Sequence, residues 1–160
     1  RKWFQPLSVF KDGAFRAGKP AEDELPYDKE VQLYLGGEGL TSTMADYARF
    51  CQMILDGGRV QGGKQLLKPE TLELMWTDQL GDIPGYNDRD NGNGFGLGFY
   101  IINDFNRYGA DGVFGWSGYH TTHFWIDPKN EMYAIFLCRR YPYSEVTLTQ
   151  FRAAVYEAMK

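Results

Sequence analysis

Apolar positions along the chain follow two rhythms. Met44, Tyr47, Ala48, Cys51, Ile54 and Leu55 recur at intervals of three and four, the spacing of an amphipathic helix. Thr43 and Asp46 have the spacing of a capping box and set a carboxylate on the first turn, where the helix dipole favours it. Gly57-Gly58 marks the end of this helix. A second helix is expected from Lys68-Pro69, proline taking the tolerated first position, with Leu72, Met75 and Trp76 on its apolar side. A last helix, with Ser144 as its cap, carries Leu148, Phe151, Val155, Ala158 and Met159 as its buried stripe.

Between residues 95 and 138 the rhythm is that of strands. Phe95 to Ile102 reads as one strand, with Phe95, Leu97, Phe99 and Ile101 on a shared face. Phe114 to Pro128 reads as a second, long strand, aromatic and β-branched, closed by the turn tetrad Asp127-Pro128-Lys129-Asn130. Met132 to Cys138 then returns as its antiparallel partner. Gly115 and Gly118 bracket Trp116 and Ser117, and interior glycine weakens a strand unless another backbone or a ligand must come close. This front end is therefore either one wall of a site or a bulge packed against a neighbouring strand. Helices, then a three-stranded antiparallel meander, then a covering helix make an α+β fold, with residues 1–160 as a single unit. Ahead of it, Gln5–Phe10 and Ala14-Phe15 read as short strands or extended loop around an Asp12-Gly13 turn. Gly81 to Gly94 reads as a mobile loop rich in Asn, Asp and Gly, which makes Tyr86 a candidate for the rim of a pocket.

Composition narrows the function classes. The net charge is −4 with acids and bases interspersed, so nothing points to nucleic acid or anionic lipid as a partner. No apolar run has the length of a membrane span. No His/Cys cluster has metal-ligand spacing, and no cofactor is implied. Cys51 and Cys138 sit in apolar patterns and read as buried free thiols, with a disulfide the alternative. The start at Arg1-Lys2-Trp3, without methionine, reads as the interior of a longer polypeptide.

The order of motifs resembles the C-terminal half of the serine β-lactamase and penicillin-binding-protein superfamily, and within it class C β-lactamases and family VIII esterases. Four features carry the likeness: Gly39-Leu-Thr-Ser-Thr-Met-Ala-Asp46, Leu66-Leu-Lys-Pro-Glu-Thr-Leu72, Gly94-Phe-Gly-Leu-Gly-Phe99 with Trp116-Ser-Gly118 and Trp125-Ile-Asp-Pro128, and Tyr141-Pro142 before the last helix. The resemblance implies that the meander is part of a larger β-lactamase-like sheet flanked by helices. It also implies an acyl-enzyme mechanism, which needs an activated serine and donors aimed at the developing oxyanion. Trp116-Ser117-Gly118 fits the Trp-x-Gly form of the family's strand motif. The Tyr119 main-chain N–H would be an oxyanion donor, and Ser117 would hydrogen-bond a substrate carbonyl or carboxylate. Trp116 stands where true β-lactamases carry lysine and leans the substrate towards esters. Arg140 and Tyr143 fall where class C enzymes place asparagines near the substrate carboxylate, and Tyr86 would close over the acyl or leaving group.

The family's Ser-x-x-Lys and Tyr-x-Asn motifs are expected on an N-terminal segment of the same protein, outside this chain. The chain alone is therefore expected to be inactive, and the full protein to act on a small-molecule ester, amide or β-lactam. Family members are commonly exported, so a periplasmic or extracellular location is expected. A binding module that uses the fold without chemistry is the alternative, with exposed aromatics as its contacts. A chain that completes its sheet with a partner is a third. Two histidines near a nucleophile site invite a triad. On a continuous strand, however, period two sets His120 on the face of Trp116 and Gly118, lining the cleft, and His123 on the opposite face, under a helix.

Overall fold

The computed structural model describes residues 5–22, 37, 40–81, 83, 93–102 and 112–160. The Gly81–Gly94 loop, with Tyr86, lies almost wholly outside the described residues. The fold is α+β, with two sheets and three helices among the described residues.

The helices form where the apolar spacing and the caps require them. Helix α1 (Met44–Leu55) starts at Thr43, whose hydroxyl oxygen accepts from the Asp46 N–H at 3.2 Å. It ends where Gly57 and Gly58 turn to φ +65 and +88 and the Gly58 N–H donates to the Met53 carbonyl at 2.8 Å. Helix α2 (Pro69–Trp76) has proline in its first turn and no side-chain cap at Lys68. Helix α3 (Glu145–Glu157) follows Ser144, which holds the cap position without making a side-chain cap bond. Its buried stripe differs from the expected one. Leu148 and Arg152 are buried, while Ala158 and Met159 are exposed.

The strands depart from the sequence reading in one systematic way. Neither long strand is continuous; each folds into a hairpin at its glycines. Phe95–Ile102 becomes β3 (Gly94–Phe95) and β4 (Tyr100–Ile102), antiparallel around Gly96-Leu97-Gly98. Gly98 has φ +90, and a Cβ on Gly96 would lie 2.0 Å from the Met75 carbonyl oxygen of α2. Leu97, placed by alternation on the buried face, is exposed at the corner. The second segment becomes β5 (Val113–Ser117) and β6 (His123–Asp127), paired from Phe114↔Ile126 to Ser117↔His123. The expected three-stranded meander is thus five-stranded, in the order β3-β4-β5-β6-β7, closed by β7 (Met132–Phe136).

A smaller sheet stands beside it. Strands β1 (Ser8–Lys11) and β2 (Ala14–Ala17) form a hairpin through Asp12 (φ 52) and Gly13 (φ 80), the two left-handed residues a tight two-residue turn requires. Strand β8 (Arg140–Tyr141) adds to β1 in parallel. The main sheet is covered on both faces, which is why β5 is buried from Val113 to Gly115 and β6 from Phe124 to Asp127. On one face α1 and α2 bring Cys51, Ile54 and Leu72 against Phe99, Phe114, Phe124 and Ile126. On the other, α3 lies over Trp125, whose ring meets those of Phe151 and Tyr156 at 5.5 and 6.2 Å. Both cysteines are free thiols, and burial pushes the Cys51 thiol up to about 12.

Candidate active site

Trp116-Ser117-Gly118 ends β5, and the chain reverses immediately. The Gly118 N–H donates to the Thr122 carbonyl at 2.8 Å and the Thr121 N–H to the Gly118 carbonyl at 2.9 Å. Tyr119 and His120 are thus the tip of a tight turn. Thr121 follows in the left-handed region at φ +66. That conformation usually falls to glycine or asparagine, and for a β-branched residue it is strained. The bracketing glycines are explained by this hairpin. A Cβ on Gly115 would lie 2.1 Å from the Phe124 carbonyl oxygen, and one on Gly118 would lie 2.2 Å from Thr122 Oγ1. Close approach by the paired strand therefore accounts for both, rather than space left for a ligand.

The turn is tied down from behind by groups distant in sequence. The Arg140 N–H donates to the His120 carbonyl at 3.0 Å, and the Ser144 N–H donates to Thr121 Oγ1 at 3.2 Å. The Cys138 thiol lies 3.5 and 3.3 Å from the carbonyls of His120 and Thr121, and burial pushes this thiol up. What remains outside is the tip and the strand end. Tyr119 is 57% exposed and Trp116 47%, the latter edge-on to Phe95 at 5.4 Å.

Consecutive residues of a strand face opposite ways, and the site divides accordingly. Trp116 lies opposite Phe124, on the face of α1 and α2. Ser117 lies on the face of α3, its Oγ 2.8 Å from His123 Nδ1. The His123 ring is 5.5 Å from Trp125. Burial, aided by the Arg152 cation, lowers its pKa to about 4, against the smaller opposing effect of the Trp116 carbonyl. Arg152 is itself only 8% exposed and lies over the Trp125 ring at 4.9 Å. Its Nε and Nη2 have no hydrogen-bond partner among the described residues, and burial lowers its pKa. The buried Asp127 carboxylate accepts from the Asn130 N–H, Asn130 Nδ2 and the Tyr156 hydroxyl, the last at 2.7 Å. Burial first, and then that carboxylate, raise the Tyr156 pKa.

The other expected site residues fall differently. His120 is 7% exposed and sits in the turn instead of on a strand face, so the alternation argument that set it beside Trp116 does not apply. His123 faces α3 as expected. Arg140 turns towards the small sheet, its guanidinium 5.4 Å from the Phe10 ring and 5.5 Å from the Phe15 ring. Tyr143 is exposed at the approach to α3. Tyr141 brings the Tyr-Pro motif to the turn, its ring 6.1 Å from that of Tyr119. Beyond it opens a cavity of about 350 Å³, whose lining includes Phe10, Arg16, Glu22, Tyr141 and Pro142. Tyr86 lies outside the described residues.

Sequence reasoning also passed over a Ser-x-x-Lys spacing within the chain, at Ser8-Val9-Phe10-Lys11. Those four residues are the whole of β1. In a helix, side chains three apart are neighbours about 5–6 Å apart. In a strand they lie about 10 Å apart and on opposite faces. Ser8 and Lys11 therefore cannot form the nucleophile–base pair that the motif makes elsewhere. Tyr-x-Asn does not occur in the sequence. Among the described residues, no group of three His, Cys, Asp or Glu is placed to hold a metal. No helix there is long and apolar enough to cross a membrane.

A five-stranded antiparallel sheet carrying a Trp-x-Gly strand end, with a Tyr-Pro segment beside it and helices on both faces, is a β-lactamase-like arrangement. The family model Beta-lactamase matches residues 6–157, and the chain belongs to that family. Protein Rv1367c and Uncharacterized protein MT1414, both of Mycobacterium tuberculosis, are each 33% identical to it over 117 residues. That match takes in 66% of this chain and 29% of those proteins, so the chain spans well under half of their length. The LovD6 mutant of simvastatin synthase from Aspergillus terreus shares the fold with a TM-score of 0.73 at 22% identity, over 96% of this chain and 42% of that one. A penicillin-binding protein homologue from Caulobacter crescentus does so with a TM-score of 0.51 at 19% identity, over 68% of this chain and 30% of its own.

Proposed function

We propose that this chain is the C-terminal part of a serine hydrolase that works through an acyl-enzyme. In this reading it supplies the Trp-x-Gly strand and the Tyr119 oxyanion donor, while the nucleophilic serine and its lysine stand on an N-terminal segment of the same protein. The observation that carries the reading is the placement of Trp116 and Tyr119. Trp116 is exposed at the end of an otherwise largely buried strand and Tyr119 on the turn that follows, which is hydrogen-bonded from behind. A fixed backbone donor costs no reorganisation when charge develops on the substrate, and losing one typically lowers turnover by about 10²–10³.

With tryptophan in place of a cation at position 116, the substrate is an ester or a neutral amide sooner than an anionic β-lactam. In this reading Tyr143 stands at the approach to the site, and the full protein works in the periplasm or outside the cell. The test compares the chain with the full-length protein. The isolated chain is expected to hydrolyse neither nitrocefin nor p-nitrophenyl butyrate and to take no fluorophosphonate label, at Ser8 or elsewhere. The full-length protein is expected to hydrolyse the butyrate and to be labelled once. Labelling of a serine in the isolated chain would overturn the assignment of the nucleophile.

A further inference from the structure

The turn that presents Tyr119 is strained at Thr121, and strain of that kind persists only where the surroundings over-determine it. Cys138, Arg140 and Ser144 hold its far side. On the near side, at the last residue of β5, the tie is the Ser117 hydroxyl bonded to His123 Nδ1 at 2.8 Å. Ser117 and His123 face each other as the final pair of the β5–β6 hairpin, one residue from each end of the turn. Arg152 and Tyr156 of α3, with Asp127 of the same strand, form the charged and hydrogen-bonded layer beside that histidine. The hydroxyl thus lies on the face opposite Trp116 and is engaged with the hairpin, away from the side on which Trp116 is exposed.

We propose that His123 is a positioning residue which, by holding the Ser117 hydroxyl, closes the last pair of the hairpin and fixes the turn that presents the Tyr119 N–H. The inference rests on the reading of Tyr119 as an oxyanion donor, and it assigns Ser117 a role other than direct contact with substrate.

Two measurements separate the tie from the chemistry. In the chain itself, amide hydrogen exchange at Gly118 and Thr121 reports whether the turn is held. Ser117→Ala and His123→Leu are expected to quicken it about tenfold, the loss of one hydrogen bond's worth of protection. His123→Asn, which keeps a polar atom at the δ position, stays within about twofold of the parent. Ser117→Ala removes a single oxygen, so it decides the matter should His123→Leu not fold. Unchanged exchange in Ser117→Ala overturns the proposal.

In the full-length protein, kcat for p-nitrophenyl butyrate is expected to fall about tenfold in Ser117→Ala with KM unchanged, and to be retained in His123→Asn. Raised KM with unchanged kcat would return Ser117 to the substrate and overturn the proposal. Quickened exchange in a full-length protein that hydrolyses no ester supports the tie and removes the functional reading alone.

Discussion

The two faces of the main sheet are built from different chemistry. Beneath α1 and α2 the layer is built mainly of aliphatic and aromatic side chains, Phe114 stacking on Trp76 at 5.0 Å and tilting against Phe99 at 5.1 Å. Beneath α3 the layer contains Ser117, His123, Asp127, Arg152 and Tyr156 around Trp125. Dispersion and burial hold the first, and its cost of disruption scales with volume removed. The second depends on hydrogen bonds and on a balance of charge, where removing one partner costs more than the pair contributes. The polar face also carries the Ser117–His123 tie at the Trp-Ser-Gly strand end, while Trp116 of the same strand end lies on the apolar face.

That division predicts an order of effects in urea denaturation. The largest belongs to the apolar face. Phe114→Ala is expected to cost about 3–5 kcal/mol, because Phe114 is fully buried and its ring contacts leave a cavity that cannot collapse. Asp127→Ala comes next at about 3 kcal/mol. It orphans Tyr156 and Asn130 and leaves the Arg152 cation without its neighbouring carboxylate. A loss under about 1 kcal/mol there would show that the polar face carries no more than local bonds.

The third effect is a pH dependence. His123 has a folded pKa of about 4 against 6.5 when unfolded. The unfolded chain therefore binds the extra proton first as the pH falls. The histidine's contribution is fully present above pH 6.5 and is lost between pH 6.5 and about 4, at most about 3 kcal/mol over that window. His123→Phe should flatten this part of the stability–pH curve, and a wild-type curve already flat there would remove the claim. The smallest effect belongs to Arg152. Arg152→Met removes a buried cation whose Nε and Nη2 have no hydrogen-bond partner among the described residues, but leaves the Asp127 carboxylate without its neighbouring charge, and the net cost is expected to be about 1 kcal/mol. Destabilisation by about 3 kcal/mol or more would mean that this cation holds the polar layer together.

The helices were legible in the sequence, down to Thr43 as cap and Pro69 at the first position, because those signals act within one turn of chain. The sheet was legible as antiparallel but not in its number of strands. Period-two alternation cannot distinguish a long strand from two short ones when both arms are buried on both faces, as Val113–Gly115 and Phe124–Asp127 are. The information lay in the glycines, read as thinning of a strand when they mark its corners. Leu97 shows the same error, apolar and in register yet exposed at a turn.

Within the site, Trp116, Ser117, Gly118 and Tyr119 were legible as a motif. The partners of Ser117 and of the turn were not, because His123, Cys138, Arg140 and Ser144 reach them through the folded backbone. Arg152 was hidden for another reason. An arginine between Phe151 and Val155 reads as a solvated position, and the aromatic ring across the layer, with the Asp127 carboxylate nearby, makes its burial tolerable. Ser8 and Lys11 show the converse, a spacing that carries meaning on a helix and none on a strand.

The bond from the first amide of the α3 approach to the buried hydroxyl of Thr121 joins two stretches that any transplant would treat as separate cassettes. Moving the segment from 116 to 122 into a related scaffold would carry the letters of the motif but not the clamp that shapes it. A working graft must take 138–144 along. Conversely, variation at Cys138 would retune the front from behind, through the two turn carbonyls its thiol meets.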